Sequence, residues 1–287
     1  PQFQEVEAIV DLGGNITGEY LAMAAQAGVQ FLQAQTNGLD HVDVAGIRGS
    51  GLTLAHCPGG PSSVALAESA MMFILMLSHR WLEARHNFDA EKIYQPTGME
   101  LIGCNLGIIG LGASGCELAR RAKPFGMRIM TIDIRPIEPD VLDEIQPDFI
   151  GTSDDLDHVI AESDFLSLHL HLNETTHHIL DARRIGLMKS TAFLINVARG
   201  ELADEGALYE ALLQGRIGGA GLDAFAQEPP DPTLPVYQLP NVVVTPHTAG
   251  CTDGTSRKRA QHAADNLDCF ARGEPLVGQV SGQVVGA

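Results

Sequence analysis

The stretch "LGIIGLGASG", residues 106–115, places an apolar run directly before three closely spaced glycines, and the helical pattern "CELARRAKPFG" follows it. In a strand, turn and helix of this kind, the first glycine permits a tight turn, the second lets the backbone approach a pyrophosphate, and the third lets the helix pack on the strand. In this context the order G-x-G-x-x-G predicts a dinucleotide site. The residues predicted to bind the dinucleotide here are Gly110, Gly112, Ala113, Ser114 and Gly115.

The next apolar run, "RIMTID", ends in an acidic residue, Asp133, 18 residues beyond Gly115. A carboxylate at this point can accept hydrogen bonds from both hydroxyls of an adenosine ribose and would repel a 2′-phosphate. The position therefore favours NAD(H) over NADP(H) as the cofactor. Arg135, two residues later, keeps NADP(H) as the alternative.

Short apolar runs alternate with helical patterns along most of the chain, which is typical of a parallel sheet covered by helices on both faces. This pattern predicts an α/β fold. We predict one long helix from about Ser63 to Arg85, and a polar segment up to residue 100 that is either a domain boundary or an exposed arm. The predicted strands are 6–10, 30–36, 51–57, 105–110, 128–133, 164–170, 192–198, 217–225 and 241–246.

Composition excludes several classes of partner. The chain has 287 residues, 45% of them hydrophobic, and a net charge of -18, which argues against nucleic acid because phosphate binding needs a basic patch. The apolar block "SAMMFILMLS" (69–78) is too short to cross a bilayer and is predicted to be a buried helix. The five cysteines show no C-x-x-C spacing, and no signal peptide opens the chain, so we predict a cytoplasmic protein without a metal site.

Three of the later predicted strands carry polar residues at or just after their ends. "NVARG" carries Arg199, "GLDAFAQEP" carries Asp223 and Glu228, and "VVVTPHTAG" carries His247. Taken singly, these are compatible with a solvated arginine, a capping aspartate, a surface glutamate and a loop histidine. In an open parallel sheet, however, ligands bind beyond the carboxyl ends of the strands, so we predict that all four lie at one active site beside the dinucleotide.

Reduction of a 2-oxo acid by hydride transfer would account for this set of side chains. Such a reaction needs a cation that holds the carboxylate and polarises the ketone, and arginine's planar fork makes Arg199 the candidate. It also needs a proton donor, and His247 is the candidate because an unperturbed histidine has a pKa of about 6.5. Glu228 is the candidate carboxylate that pairs with the imidazolium and fixes the ring.

These motifs, in this order, resemble those of the D-isomer-specific 2-hydroxyacid dehydrogenase family, which includes glyoxylate and hydroxypyruvate reductases and phosphoglycerate dehydrogenases. The resemblance also covers "NGLDHVD" (37–43), "PFGM" (124–127) and "GEPL" (273–276). It implies two doubly wound, Rossmann-like or flavodoxin-like domains, with the active site in the interdomain cleft. The implied substrate domain is 1–83 plus 268–287, and the implied NAD-binding domain is 84–267.

The resemblance also implies roles for individual residues. Arg199, Glu228 and His247 would be the catalytic set, with His247 as acid and base. Asp223 would contact the nicotinamide carboxamide, and the backbone around Asn37 and Gly38 would bind the substrate carboxylate. Ala198 and Gly250 complete the expected cofactor-binding residues. The family's usual homodimer implies that the arm up to residue 100 is a dimer surface.

The sequence departs from the family pattern at several points. It starts at Pro1, without the strand, helix and strand that commonly open these proteins, so we expect part of the substrate domain to be missing. Pro61 stands where an asparagine is common, and Ser114 replaces a more usual aliphatic residue. The remaining alternatives are a formate or phosphite dehydrogenase on the same fold, and an NAD-sensing interaction module similar to a transcriptional corepressor.

Overall fold

The computed structural model describes residues 3–13 and 16–280. The chain divides into two compact units, a smaller one of Pro1–Pro61 with Thr252–Ala287 and a larger one of Ser62–Cys251. The expectation about the start at Pro1 and the assignment of residues 281–287 to the substrate domain lie outside the described residues.

The described residues contain ten strands and ten α-helices, which loops and short 3₁₀ helices join. The strands are β1 (Ala8–Asp11), β2 (Phe31–Ala34), β3 (Thr53–His56), β4 (Asn105–Ile109), β5 (Arg128–Ile132), β6 (Phe149–Gly151), β7 (Phe165–Leu168), β8 (Phe193–Asn196), β9 (Gly219–Leu222) and β10 (Val242–Val244). The helices are α1 (Gly18–Gln26), α2 (Val44–Gly49), α3 (Gly60–Ser78), α4 (Trp81–Asp89), α5 (Ala113–Ala122), α6 (Pro139–Ile145), α7 (Leu156–Glu162), α8 (Ala182–Ile185), α9 (Glu205–Leu213) and α10 (Asp253–Arg272).

The smaller unit is built on a parallel sheet in the order β1-β2-β3. Helix α10 packs on this sheet, where the ring of Phe270 stacks on Phe31 with 5.0 Å between centroids. On the same helix, Asn266 donates a hydrogen bond of 2.6 Å from Nδ2 to Oε1 of Gln33, which satisfies two buried polar groups. The last helix therefore folds with the N-terminal segment along its whole length.

The larger unit contains a seven-stranded sheet in the order β10-β9-β8-β7-β4-β5-β6, and every neighbouring pair is parallel. One apolar cluster joins residues of α7, α8 and α9 to the sheet, and a second joins residues of α3 and α5 to it. The predicted α/β fold with parallel sheets is confirmed. From β4 the chain builds outward through β5 and β6, and then returns to β7 on the other side, so a ligand crevice is expected beyond β4 and β7.

The unit boundaries differ from the predicted domain boundaries after residues 83 and 267. Helix α3 belongs to the larger unit from Ser62 onward because its apolar face packs on that unit's sheet, with Phe73 and Ile74 fully buried. β9 passes so close to this helix that a Cβ on Gly221 would lie 2.6 Å from Cγ of Phe73. Helix α10 belongs entirely to the smaller unit.

Helix α3 is longer than its apolar block 69–78. With 19 residues it is long and apolar enough, by length and composition, to cross a membrane, but half of it is buried in the protein. This burial is that of a core helix, as the sequence predicts.

The prediction of one continuous helix from Ser63 to Arg85 is wrong. Helix α3 ends at Ser78 and α4 begins at Trp81, with Arg80 at φ 51° between them. The amide of Met99 donates to the carbonyl of Ser78 at 2.9 Å, so a distant backbone segment takes the hydrogen-bonding position that a continuing helix would use. The short edge strand β6 was missed as well, because three residues carry too little periodicity to be recognised.

Candidate active site

The glycine-rich turn follows β4 as the sequence predicts. Gly110 has φ 99°, and a Cβ there would lie 2.4 Å from the carbonyl oxygen of His169. A Cβ on Gly115 would lie 2.1 Å from the carbonyl oxygen of Gly110, so both positions require glycine. Around Gly112 the nearest atom to such a Cβ is Nη2 of Arg135 at 3.7 Å. The chain is therefore tightly folded at the first and third glycines and open at the second, where a pyrophosphate would approach.

Helix α5 begins directly at this turn. Its N-cap residue, Gly112, offers no side chain to the first amides of the helix, and an uncapped helix N-terminus favours an anion. A cavity of about 400 Å³ opens beside it. The residues that line it include Leu111, Gly112, Ala113, Arg135, Pro136 and Ile137. The turn, the helix end and the cavity together fit the pyrophosphate and ribose of a dinucleotide.

Asp133 lies beside this turn at the end of β5, with its side chain 5% exposed. Its Oδ2 accepts a hydrogen bond of 2.9 Å from the amide of Leu111, and its Oδ1 accepts one of 2.9 Å from the amide of Arg135. The guanidinium of Arg135 donates to the same carboxylate at 3.1 Å from Nε and from Nη2. Desolvation raises the pKa of Asp133, but the hydrogen bonds from Arg135 and Leu111 outweigh it and leave the pKa below its ordinary value. The carboxylate is thus ionised where a ribose is expected.

Arg199 leaves the end of β8 through a turn that a buried asparagine holds. Asn196 accepts a hydrogen bond of 3.1 Å from the amide of Ala198 and donates one of 2.7 Å to the carbonyl oxygen of Arg199. Nη1 of Arg199 donates to the carbonyl oxygen of Ala198 at 2.9 Å. A Cβ on Gly200 would lie 1.9 Å from the carbonyl carbon of Phe225, so only glycine lets these two backbone segments pass.

Asp223, at the end of β9, is 1% exposed. Its Oδ1 accepts hydrogen bonds of 2.5 Å from Oγ1 of Thr245 and 2.8 Å from the amide of Thr248. Its Oδ2 accepts one of 2.8 Å from the amide of Ala249. The carboxylate therefore fixes the loop after β10, which carries His247 and, directly after Ala249, Gly250. Its contact with a nicotinamide carboxamide stays a prediction.

Glu228 and His247 form an ion-pair geometry at this edge of the sheet. Nδ1 of His247 lies 2.8 Å from Oε1 and 2.7 Å from Oε2 of Glu228, and the amide of Phe225 donates to Oε1 at 3.2 Å. The two side chains are 41% and 39% exposed. Contact through Nδ1 directs the opposite ring nitrogen, Nε2, away from the carboxylate and leaves it as the atom that can exchange a proton with a ligand.

The predicted catalytic residues of the larger unit follow neighbouring strands, because β8, β9 and β10 are adjacent in the sheet. Gly200 packs on the backbone of Phe225, and the amide of Phe225 holds Glu228, which in turn holds His247. One chain of contacts thus runs from the Arg199 turn to the histidine. The roles of these residues remain predictions.

Asn37 and Gly38, the predicted substrate-binding pair, follow β2 in the smaller unit. The ring of His56 contacts the carbonyl oxygen of Asn37 through Nδ1 at 3.0 Å. A Cβ on Gly59 would lie 3.2 Å from Nδ2 of Asn37, so the asparagine lies beside the segment that follows β3. Substrate binding by this pair is a prediction.

Two residues with a place in the site were missed from the sequence. Asn196 is the last residue of an apolar strand, and a polar residue in that position is a signal for a turn that needs a side-chain partner. His169 follows β7 beside the glycine-rich turn, and its position at the end of "DFLSLHL" is the same kind of signal. Their partners depend on strand order, which the sequence does not show.

Among the residues that the structure describes, there is no group of three or more histidine, cysteine, aspartate or glutamate side chains that could hold a metal ion. The five cysteines are free thiols. Burial raises the pKa of Cys116, which lies in α5 just after the glycine-rich turn, so this thiol stays protonated at neutral pH.

Known proteins resemble this chain along most of its length. Residues 71–249 match the family "D-isomer specific 2-hydroxyacid dehydrogenase, NAD binding domain". A glyoxylate reductase from Korarchaeum cryptofilum (strain OPF8) is 37% identical over 254 residues, which cover 86% of this chain and 75% of that protein. A hydroxypyruvate reductase from Thermotoga maritima is 36% identical over 245 residues, covering 84% and 74%.

A solved structure agrees with these relatives. The D-lactate dehydrogenase from Aquifex aeolicus complexed with NAD and lactic acid superposes with a TM-score of 0.82 at 27% identity, covering 95% of this chain and 85% of that one. The resemblance in the motifs is thus confirmed in sequence and in fold. The chain belongs to the D-isomer-specific 2-hydroxyacid dehydrogenase family and is an NAD(H)-dependent oxidoreductase.

Proposed function

We propose that the enzyme transfers a hydride between NADH and a small 2-oxo acid to give a D-2-hydroxy acid, with Arg199, Glu228 and His247 as its catalytic residues. The observation that carries the proposal is the contact of 2.7 Å between His247 and Glu228 in the same unit that holds the glycine-rich turn. The relatives named glyoxylate reductase and hydroxypyruvate reductase support a small substrate.

The histidine supplies the proton of the reaction. NADH, when bound, supplies the hydride. As the ketone carbon accepts it, negative charge develops on the oxygen, and the imidazolium of His247 donates a proton to that oxygen from Nε2. Glu228 stabilises the positive charge of the ring and fixes its orientation through Nδ1. In the oxidative direction the same nitrogen takes the proton from the hydroxyl.

Arg199 binds the substrate carboxylate and polarises the ketone. A guanidinium suits both tasks because its planar donors match a carboxylate and its charge stabilises the developing oxyanion. The chain has a net charge of -18, so an anionic substrate is repelled at a distance and needs a local cation at the site. The backbone of Asn37 and Gly38 in the smaller unit is proposed to bind the substrate carboxylate, as the family resemblance implies.

The cofactor-binding residues are proposed to be those of the glycine-rich turn together with Ala198, Asp223 and Gly250. Asp133 is proposed to hold the ribose hydroxyls and to make the enzyme prefer NADH to NADPH, because its carboxylate is ionised and would repel a 2′-phosphate. Arg135 is the group that would support NADP(H) as a weaker alternative.

A homodimer is proposed from exposed apolar surface. Phe88, Ile93 and Tyr94 are 73%, 70% and 96% exposed, and they lie in or just after α4. A groove of about 720 Å³ between α3 and α5, with Met72 and Phe125 in its lining, offers a second apolar surface. We expect light scattering to give twice the chain mass, and a monomer at micromolar concentration would contradict the proposal. A cytoplasmic location is likewise proposed, supported by the five free thiols.

The test of the function is NADH oxidation on the whole protein with glyoxylate, hydroxypyruvate, pyruvate, 2-oxoisocaproate and phenylpyruvate in parallel. We expect turnover of at least one acid, and its loss in His247→Ala. If none of these acids is reduced and formate or phosphite reduces NAD⁺, the protein is instead a formate or phosphite dehydrogenase. Tight NADH binding without any turnover would favour a sensing module.

A further inference from the structure

The ring of His169 lies between two serine hydroxyls. Its Nδ1 is 2.9 Å from Oγ of Ser114, and its Nε2 is 2.9 Å from Oγ of Ser167. Ser114 is the second residue of α5 and lies within the glycine-rich motif, whereas Ser167 lies inside β7 and is fully buried. The histidine therefore connects the end of one strand to the first turn of the helix that follows another.

The glycine-rich turn is held on two sides. On the β5 side, Asp133 accepts a hydrogen bond of 2.9 Å from the amide of Leu111. On the β7 side, the carbonyl oxygen of His169 packs against Gly110, and the His169 ring reaches Ser114. The aspartate thus fixes the start of the turn, and the histidine fixes the start of helix α5.

We propose that His169 is a positioning residue for NAD(H), which acts through Ser114 to hold the N-terminus of α5 where the pyrophosphate binds. This inference rests on the proposed placement of the cofactor in the glycine-rich turn. It assigns a role to two residues that are outside the catalytic set, and it makes the affinity for the cofactor depend on a side-chain hydrogen bond.

The electrostatics of the ring agree with a positioning role. Burial lowers the pKa of His169 to about 4, so the ring is neutral at neutral pH and carries one N–H donor and one acceptor nitrogen. Each serine hydroxyl can both donate and accept, and both hydrogen bonds are therefore satisfied in either tautomer. The ring adds no charge that could attract the pyrophosphate, so its contribution lies in the position of the helix.

Ser114 supplies the hydroxyl on which this connection depends. In the motif "GLGASG" it occupies a position where the family resemblance predicts an aliphatic residue, which could pack against a histidine but could not hydrogen-bond to it. The contact with Nδ1 of His169 gives this serine a structural role.

The test measures the Kd for NADH binding to the whole protein. Nicotinamide fluorescence monitors the binding, and no 2-oxo acid is present. Two pairs of variants separate the hydrogen bond from packing. Ser114→Ala removes the hydroxyl and Ser114→Thr keeps it, while His169→Asn keeps a polar atom near the position of Nδ1 and His169→Gln keeps one near Nε2. We expect the Kd for NADH to rise about 5- to 10-fold in Ser114→Ala and His169→Gln, and to stay within about twofold in Ser114→Thr and His169→Asn.

The outcomes separate this inference from the proposed function. If the wild type does not bind NADH, the placement of the cofactor fails and the proposed function fails with it. If the wild type binds NADH and Ser114→Ala binds equally well, only the positioning role is overturned. Equal weakening in Ser114→Ala and Ser114→Thr would also overturn it, because the hydroxyl would then not matter. Thermal melts show whether each variant is folded. Because Ser114 is itself predicted to bind the dinucleotide, weaker binding by Ser114→Ala supports the role of His169 only if folded His169→Gln is weakened as well, and unchanged NADH binding by His169→Gln overturns that role.

A kinetic readout provides a second check once a turned-over 2-oxo acid is known. A positioning role predicts that Ser114→Ala raises the KM for NADH by a larger factor than it lowers kcat at saturating NADH, because the change lies at the glycine-rich turn and not at the reacting groups. A fall in kcat with an unchanged KM would overturn the inference.

Discussion

Asp223 and Glu228 are two carboxylates on one short segment after β9, and they differ in their exposure and in their hydrogen-bond partners. Asp223 is 1% exposed and accepts three hydrogen bonds from the loop between Thr245 and Ala249. Glu228 is 39% exposed and contacts the ring of His247 together with one backbone amide. The first carboxylate holds the backbone, and the second accompanies a side chain whose charge changes during the proposed reaction.

The difference shows how the site divides stability from chemistry. Asp223 is buried and held by three hydrogen bonds, so it cannot reorient when a charge appears on a ligand. It instead keeps the His247 loop in place. A half-exposed carboxylate with a single side-chain partner contributes little to stability, because solvent screens the pair. It can nevertheless stabilise an imidazolium that forms and disappears with each turnover.

The largest effect is expected at the proton donor. His247→Ala should lower kcat about 10²- to 10⁴-fold, because the oxygen of the reduced ketone loses its general acid. The melting temperature should stay close to that of the wild type, since the side chain is 41% exposed. Steady-state kinetics and thermal melts measure both. A kcat equal to the wild-type value would remove His247 from the catalytic set.

Substitution of Asp223 should reduce the stability of the protein more than substitution of Glu228. Asp223→Asn should lower the free energy of unfolding by about 1–3 kcal/mol, because an amide cannot accept all three hydrogen bonds and part of the buried network is left unsatisfied. Glu228→Gln, a half-exposed change of the same kind, should alter it by less than about 0.5 kcal/mol. Urea unfolding of both variants tests this. Equal destabilisation would end the distinction between the two groups.

Asp133 extends the comparison to the cofactor, because it combines a structural hydrogen bond with a proposed ligand contact. Asp133→Ala should reduce the preference for NADH over NADPH by about tenfold, since the 2′-phosphate is no longer repelled and Arg135 is released. The ratio of kcat/KM for the two cofactors measures it. An unchanged ratio would show that another group discriminates between the ribose of NADH and the 2′-phosphorylated ribose of NADPH.

A small effect is expected at an exposed ion pair outside the predicted site. The hydrogen bond from Arg183, with a further one from Arg184, lowers the pKa of Asp157 to about 2. A carboxyl with a depressed pKa adds stability that is present above its unfolded pKa of about 4 and is lost as the pH falls through its folded value. Because the side chain is 44% exposed, Asp157→Asn should cost less than about 1 kcal/mol at neutral pH. Urea unfolding at neutral pH and near pH 2 would test this, and an equal cost at both values would contradict it.

Much of this arrangement could be predicted from the sequence. The alternation of apolar runs and helical patterns predicts parallel sheets, and the carboxyl ends of such strands meet at one edge. For that reason Asp223, Glu228 and His247 could be grouped without any knowledge of their contacts. The glycine-rich turn could be placed because its three glycines follow a strand and precede a helix.

The remaining features depend on contacts between distant segments. At the break after α3, the carbonyl oxygen of Ser78 accepts a hydrogen bond from the amide of Met99, a contact that no local pattern reveals. The partner of His169 lies 55 residues away in the sequence, and only the adjacency of β4 and β7 brings the two together. The burial that distinguishes Asp223 from Glu228 is likewise a property of the folded loop, since both are acidic residues near the end of one strand.

The most direct test of the central claim is the single-turnover rate of NADH oxidation by wild type and Glu228→Gln at one neutral pH, with saturating NADH and a 2-oxo acid that the enzyme reduces. If Glu228 fixes the ring of His247 and stabilises the charge on it, the rate should fall at least about tenfold in Glu228→Gln, while the melting temperature stays close to that of the wild type. Equal single-turnover rates would contradict the account.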